Sequence, residues 1–193
     1  MYPERLQQFK FILASKSPRR QFLLRELGLP FELQTKDVDE SFPEHLRAEE
    51  IPLYLCRKKA DAFEGHLDEK TIVITADTVV WINGHVLNKP ADEEEARVML
   101  RELSGNRHEV YTGVCLKSKH KEIAFATRTD VYFREITDGE IDYYVKTFSP
   151  LDKAGAYGAQ EWIGYVGVER IEGSYFNVMG LPVREMYEEL VKF

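Results

Sequence analysis

Four of the first twenty residues stand where an anion would be held. In the stretch from Phe11 to Arg20 an apolar run ends at Ser15 and Ser17, and Pro18 then precedes Arg19 and Arg20. Ser17 suits a helix N-cap and Pro18 the first helical position. The arginines therefore fall in a first turn, the positive end of a helix, where each cation is disfavoured by about 0.3–1 kcal/mol. Free backbone N–H groups at such an end bind anions, and the guanidinium fork matches phosphate oxygens. With two hydroxyls ahead of them, the arginines point to a phosphate site rather than to a solvated pair balanced by distant carboxylates. The stretch is not a P-loop, because Gly-x-x-x-x-Gly-Lys-Ser/Thr is absent.

Asp77 interrupts the apolar β-type run Thr71–Val80. A charge in such a run is the kind of local inconsistency that marks a functional position. If the strand stops at Ala76, Asp77 lies at a strand tip, where open α/β sheets take ligands. Capping of a turn by its carboxylate is an equal alternative on local sequence alone. Lys58, Lys59 and Lys89 gain meaning only together with the arginines, since a triphosphate needs several cations. The segment Lys153–Gln160 is rich in Gly and Ala, which permits close backbone approach to a ligand, and Gln160 can read a base edge through paired donor and acceptor. Taken alone, that segment reads better as an ordinary crossover loop.

These residues need elements to position them. Phe11–Ala14 reads as a buried strand and 18–27 as a helix stopped by Gly28, with Leu23, Leu24 and Leu27 on one face. Phe31–Leu33 reads as a strand, followed by an acidic loop with Asp37, Asp39 and Glu40. A helix starts near Glu50, with Leu53, Cys56, Ala60 and Phe63 as its apolar stripe, Lys59 beside the stripe and Lys58 turned elsewhere. Val79–Leu87 forms a hairpin about Asn83-Gly84. Asp92 with Glu95, and Thr137 with Glu140, are capping-box pairs. They open helices whose buried faces are Ala96, Met99, Leu100 and Leu103, and Ile141, Tyr144 and Val145. Long strands are expected near 108–117 and 121–133, strand-like sequence after Gln160, and a last helix from Leu181-Pro182. The alternation gives an α/β chain with a mixed, twisted sheet flanked by helices.

The 193 residues are most simply one domain, 1–193. No stretch approaches the roughly 18 apolar residues of a membrane span, and the start at Met1-Tyr2-Pro3 lacks the pattern of a secretory signal. Cys56 and Cys115 are too few and too isolated for a disulfide framework or zinc site, and read as buried thiols of a reducing, cytoplasmic setting. The net charge of −7 argues against broad nucleic-acid binding.

In this order the segments closely resemble the Maf family of nucleoside triphosphate pyrophosphatases. The matching blocks are Ala-Ser-Lys-Ser-Pro-Arg-Arg (14–20), Ala-Asp-Thr-Val-Val (76–80), Lys-Pro (89–90), Leu-Ser-Gly-x-x-His-x-Val-x-Thr-x-Val (103–114), Asp-Lys-Ala-Gly-Ala-Tyr-Gly-x-Gln (152–160) and Ile-x-Gly-Ser-x-x-Asn-Val-x-Gly-Leu-Pro (171–182).

The resemblance implies a two-lobed α/β fold with a nucleotide cleft, like that of inosine triphosphate pyrophosphatases. It implies hydrolysis of nucleoside triphosphates to monophosphate and pyrophosphate with a divalent cation, Mg²⁺ or Mn²⁺. Asp77 becomes the catalytic residue. Ser15, Ser17, Arg19, Arg20, Lys59 and Lys89 become substrate contacts, and Glu40 a further contact that joins Asp77 at the metal. Arg19, Thr78 and Gln160 correspond to positions tied to a preference for dTTP and UTP; the 7-methyl-GTP subgroup carries Asp-Gln where this chain has Asp77-Thr78. A homodimer is expected on the same ground. The alternatives are a 7-methyl-GTP or other modified-nucleotide pyrophosphatase, and a nucleotide-binding regulator of cell division.

Overall fold

The computed structural model describes residues 4–193. The start at Met1-Tyr2-Pro3, where no secretory signal was expected, lies outside the described residues. After a 3₁₀ turn at Glu4–Gln8 the strands are β1 (Lys10–Leu13), β2 (Glu32–Leu33), β3 (Thr71–Ile82), β4 (His85–Leu87), β5 (Arg107–Lys117), β6 (Glu122–Phe133) and β7 (Val168–Glu172). The α-helices are α1 (Pro18–Glu26), α2 (Glu50–Asp61), α3 (Glu93–Leu103), α4 (Asp138–Phe148), α5 (Trp162–Gly167), α6 (Tyr175–Val178) and α7 (Val183–Val191). The strands form a seven-stranded sheet in the order β2-β1-β3-β5-β6-β7, with β4 also paired to β3. β1 runs parallel to β2 and β3, whereas β4 is antiparallel to β3 and β7 to β6. The sheet is mixed, as expected.

By internal contacts the chain divides into two compact units. One comprises the residues through Asp77 with Thr112–Thr127 and Gly180–Phe193; the other comprises Thr78–Tyr111 and Arg128–Met179. The first has a core in which Ile12, Val73, Cys56, Ala60, Phe63 and Cys115 pack together. Both thiols are free and buried, and burial pushes the Cys56 thiol up to about 12. The core of the second is built from Val80, Leu100, Val110, Phe133, Tyr144 and Ile163 among others.

The local signals act where expected. Ser17 caps α1 by accepting from the Arg20 N–H, and Pro18 is its first residue. Asp92 accepts from the Glu95 N–H at the start of α3, and Thr137 and Glu140 form a reciprocal capping box at α4. The buried faces of α3 and α4 are those the spacing predicts. Asn83 (φ 50°) and Gly84 (φ 84°) both take the left-handed conformation that a two-residue hairpin turn demands, and they pair Ile82 with His85.

Three expectations change. β3 does not stop at Ala76 but runs unbroken through Asp77 into the hairpin. The buried face of α2 is wider than expected: Cys56, Ala60 and, beyond its end, Phe63 are buried with Leu53 packed half-buried against them, and Ile51, Pro52 and Leu55 are buried as well. The segment after Gln160 holds two short helices, α5 and α6, around β7 rather than continuous strand, because Gly164, Gly167 and the Ser174 cap break the extended run.

The seat of α2 fixes where Lys58 and Lys59 stand, since both lie in the last turn of that helix. Gly113, on β5, faces its first turn so closely that a Cβ there would lie 2.5 Å from the Pro52 carbonyl carbon and 2.7 Å from Leu53 N. Both are backbone atoms and cannot swing aside. Thr75 Oγ1 then donates to Cys56 O at 2.6 Å, tying α2 to β3. Replacing Gly113 by Ala is expected to cost about 1–3 kcal/mol in overpacking. A thermal melt should show the midpoint falling by about 2–12 °C for a chain of this size.

Candidate functional site

The turn after β1 is organised by its own hydroxyls. Ser15 is buried, and its Oγ accepts from Ser17 N at 3.2 Å and from Arg20 Nη1 at 3.5 Å. The first turn of α1 contains no acidic residue, so the arginines there are balanced from elsewhere. Arg20 donates through Nε to the carbonyl of Gly180 at 2.8 Å. Burial lowers its guanidinium from the usual value, while the charges of Asp77 and Glu40 pull it back up and Arg19 adds to the lowering. Part of the negative charge that balances these arginines is therefore in the protein itself. Arg19 lies half-buried in the same turn.

Beside this turn, β1 ends at Leu13 opposite Ile74, and β3 continues without that parallel partner. Asp77 occurs three residues further along. Its carboxylate is the charge that interrupts the apolar run, with only 13% of the side chain exposed. Lys59 answers it from α2: the ammonium lies 2.5 Å from Asp77 Oδ1 and 2.9 Å from Glu40 Oε1. Asp77 is thus neither a strand tip nor a turn cap; it is a strand residue held in a carboxylate–ammonium–carboxylate bridge. The neighbouring Lys58, one residue around the helix, holds the acidic loop by Asp39 at 3.3 Å and by the Ser41 carbonyl at 3.0 Å. Sequence alone gave Lys58 no such role. Its signal is the pairing of two adjacent lysines with Asp39 and Glu40, two adjacent acids.

Ser15, Ser17, Arg19, Arg20, Glu40, Lys59 and Asp77 all belong to the first unit, and Thr78, Lys89 and Gln160 to the second. Thr78 is half-buried and follows Asp77 in β3, so its side chain leaves the opposite face of the strand. Lys89 is exposed just beyond β4. The glycine-rich segment is held against its neighbour, since Gly155 N–H donates to Asn88 O at 3.2 Å. Gly155 (φ 67°) has no room for a side chain, because a Cβ would lie 2.9 Å from a Val80 methyl. Gln160 closes this segment half-buried, and its carbonyl accepts from the Tyr165 hydroxyl at 2.7 Å.

Two residues of the matching blocks serve packing. His108 is buried with Nε2 2.7 Å from the Tyr157 hydroxyl, and its ring meets Phe133 and Tyr157 edge-on. Its Nδ1 has no hydrogen-bond partner among the described residues.

Among the described residues no group of three or more His, Cys, Asp or Glu side chains gathers as a metal site. Two carboxylates that already share one cation do offer hard oxygen donors to another. Such a pair fits Mg²⁺ or Mn²⁺, which take one or two carboxylates and complete their shells with water and phosphate oxygens.

A model of the Maf family, described as Maf-like protein, matches residues 10–193. The dTTP/UTP pyrophosphatase of Phocaeicola vulgatus is 51% identical over 98% of each chain. That of Bacteroides fragilis is 51% identical over 96% of each, and that of Parabacteroides distasonis is 49% identical over 98% of this chain and 99% of its own. The Staphylococcus aureus Ham1 protein shares the fold at a TM-score of 0.53 and 17% identity, across 95% of this chain and 98% of that one.

Burial pushes the His108 imidazole down to about 3, against about 6.5 in an unfolded chain. The folded state therefore keeps it neutral while the unfolded state takes up a proton. Its contribution to stability is whole above about pH 6.5 and is lost as pH falls toward 3. Denaturation midpoints measured across that window should fall more steeply for the wild type than for His108→Gln.

Proposed function

The chain belongs to the Maf family, and from that premise we propose that it is a nucleoside triphosphate pyrophosphatase acting on dTTP and UTP. The observation that carries the reading is the bridge of Asp77 and Glu40 through Lys59, with Arg20 close enough to feel both carboxylates. Relatives near 50% identity that carry the name dTTP/UTP pyrophosphatase support it.

In this reading a water attacks the α-phosphorus, its oxygen forms the new P–O bond, and the bond to the departing pyrophosphate breaks. Asp77 orients that water and accepts its proton. Arg19, Arg20, Lys59 and Lys89 stabilise the triphosphate charge as it shifts toward the leaving group. Ser15 and Ser17 with the first N–H groups of α1 hold phosphate oxygens. Mg²⁺ or Mn²⁺, held by Asp77 and Glu40, would neutralise phosphate charge. Lys59 also keeps the two carboxylates in place. Gln160, with Arg19 and Thr78, selects a pyrimidine bearing a 4-keto group, which thymine and uracil share and cytosine lacks.

We read residues 1–193 as one such domain, acting on nucleotide pools in the cytoplasm as a homodimer. Among the described residues no helix is long and apolar enough to cross a membrane.

Asp77→Asn should lower kcat for pyrophosphate release by about 10²–10⁴-fold; near-normal turnover would remove Asp77 from catalysis. In a panel of dTTP, UTP, CTP, GTP and 7-methyl-GTP, the first two should lead CTP by at least about tenfold in kcat/KM, the worth of one lost polar contact. A preference for 7-methyl-GTP would move the chain to the other subgroup. Nucleotide binding with no pyrophosphate formed in the presence of metal would favour the regulator.

A further inference from the structure

Gln160 lies at the end of a turn fixed by side chains that the proposed chemistry does not use. The Gly158 N–H donates to the Tyr144 hydroxyl at 3.0 Å. That hydroxyl in turn donates to Glu161 Oε2. The other oxygen of the same carboxylate, Oε1, meets Lys153 Nζ at 3.1 Å, and Lys153 also meets Asp152 Oδ1 at 2.6 Å. Tyr144 is fully buried, and only 8% of the Lys153 side chain is exposed. A buried lysine–carboxylate pair gives little net stability over apolar side chains of equal volume, so its presence calls for another reason. From the other side Tyr165, 75% exposed, donates its hydroxyl to the carbonyl of Gln160 at 2.7 Å. The Gln160 amide is folded back over this turn: a Cβ on Gly158 would lie 2.8 Å from Gln160 Nε2 and 2.9 Å from Glu161 Cδ.

We propose that Tyr144 and Tyr165, with the Lys153–Glu161 pair behind Tyr144, clamp the Gly158–Gln160 turn and so set the orientation in which the Gln160 amide meets the base. They are positioning residues for base selection. The inference rests on the reading of Gln160 as the residue that recognises a 4-keto pyrimidine. A reader of one polar edge discriminates only while donor and acceptor stay in register, and a shift of the turn that rotates the amide presents the wrong atom to the base. Tyr144 sets the turn from inside through the Gly158 N–H. Tyr165 sets it from outside through the Gln160 carbonyl.

The experiment compares kcat and KM for UTP and CTP in the wild type, Gln160→Ala, Tyr144→Phe and Tyr165→Phe, with a thermal melt of each. Gln160→Ala should bring the UTP-to-CTP ratio of kcat/KM toward unity. Each tyrosine variant, missing one hydroxyl, should lower that ratio by about tenfold, the scale of one polar contact. The change should come as a higher KM for UTP, with KM for CTP and both kcat values within about twofold of wild type. If Gln160→Ala loses the ratio while both folded tyrosine variants keep it, the clamp is overturned and the reading of Gln160 stands. A parallel fall in kcat for both nucleotides shows a structural role only and also overturns the clamp. If Gln160→Ala keeps the wild-type ratio, or the wild type does not separate UTP from CTP, the reading of Gln160 fails and the clamp fails with it. Should Tyr144→Phe not fold, the exposed Tyr165→Phe decides by the same criteria.

Discussion

One ammonium group shared by two carboxylates is the interaction on which the candidate site depends. Asp77 interrupts the apolar pattern of a strand whose preceding six residues are all buried. A carboxylate so placed is costly to keep ionised unless a charge of opposite sign is held against it. Lys59 supplies that charge, and can do so only because α2 is seated on the sheet by the bare backbone of Gly113 and the hydrogen bond from Thr75. Glu40 completes the bridge from a loop that Lys58 pins to the same helix. A defect in any of these supports reaches the carboxylate.

The same bridge shows how a chain of net charge −7 can gather cations locally. Lys58 and Lys59 are matched to Asp39, Glu40 and Asp77 within the protein. Arg20, in the first turn of α1, likewise has acidic charge near it within the protein. Its Nε is committed to the Gly180 carbonyl and its charge is felt by Asp77 and Glu40.

Much of this was legible in the sequence, and what was legible was local. The Ser17 cap, the Thr137–Glu140 box, the Asn83-Gly84 turn and the faces of α3 and α4 involve residues within seven positions of one another, where local side-chain chemistry decides the geometry. The continuity of β3 was hidden because a charge amid apolar residues looks like an end, and the partner that neutralises it lies 18 positions away on α2. The acceptor of Arg20 lies 160 positions away and is a carbonyl, which leaves no mark in residue type. The Tyr144–Glu161 contact was hidden for a related reason, since a tyrosine at a core position of a helix reads as apolar bulk until its hydroxyl finds a partner. After Gln160, short helices flank the expected strand, because β-branched and aromatic residues between glycines suit either state at that length.

The unbroken course of β3 carries an implication for how this chain can change. Because side chains alternate along a strand, sliding β3 by one position would swap the directions of Asp77 and Thr78. The pairing of Val80 with Leu87 and of Ile82 with His85 is locked by the left-handed pair at Asn83 and Gly84. That turn on one side of Asp77, and the pairing of Leu13 with Ile74 on the other, keep the parity of the strand. A replacement for Gly84 would have to bear its left-handed backbone, whereas an insertion or deletion between Thr78 and the turn would force a bulge or slip the pairing of the hairpin.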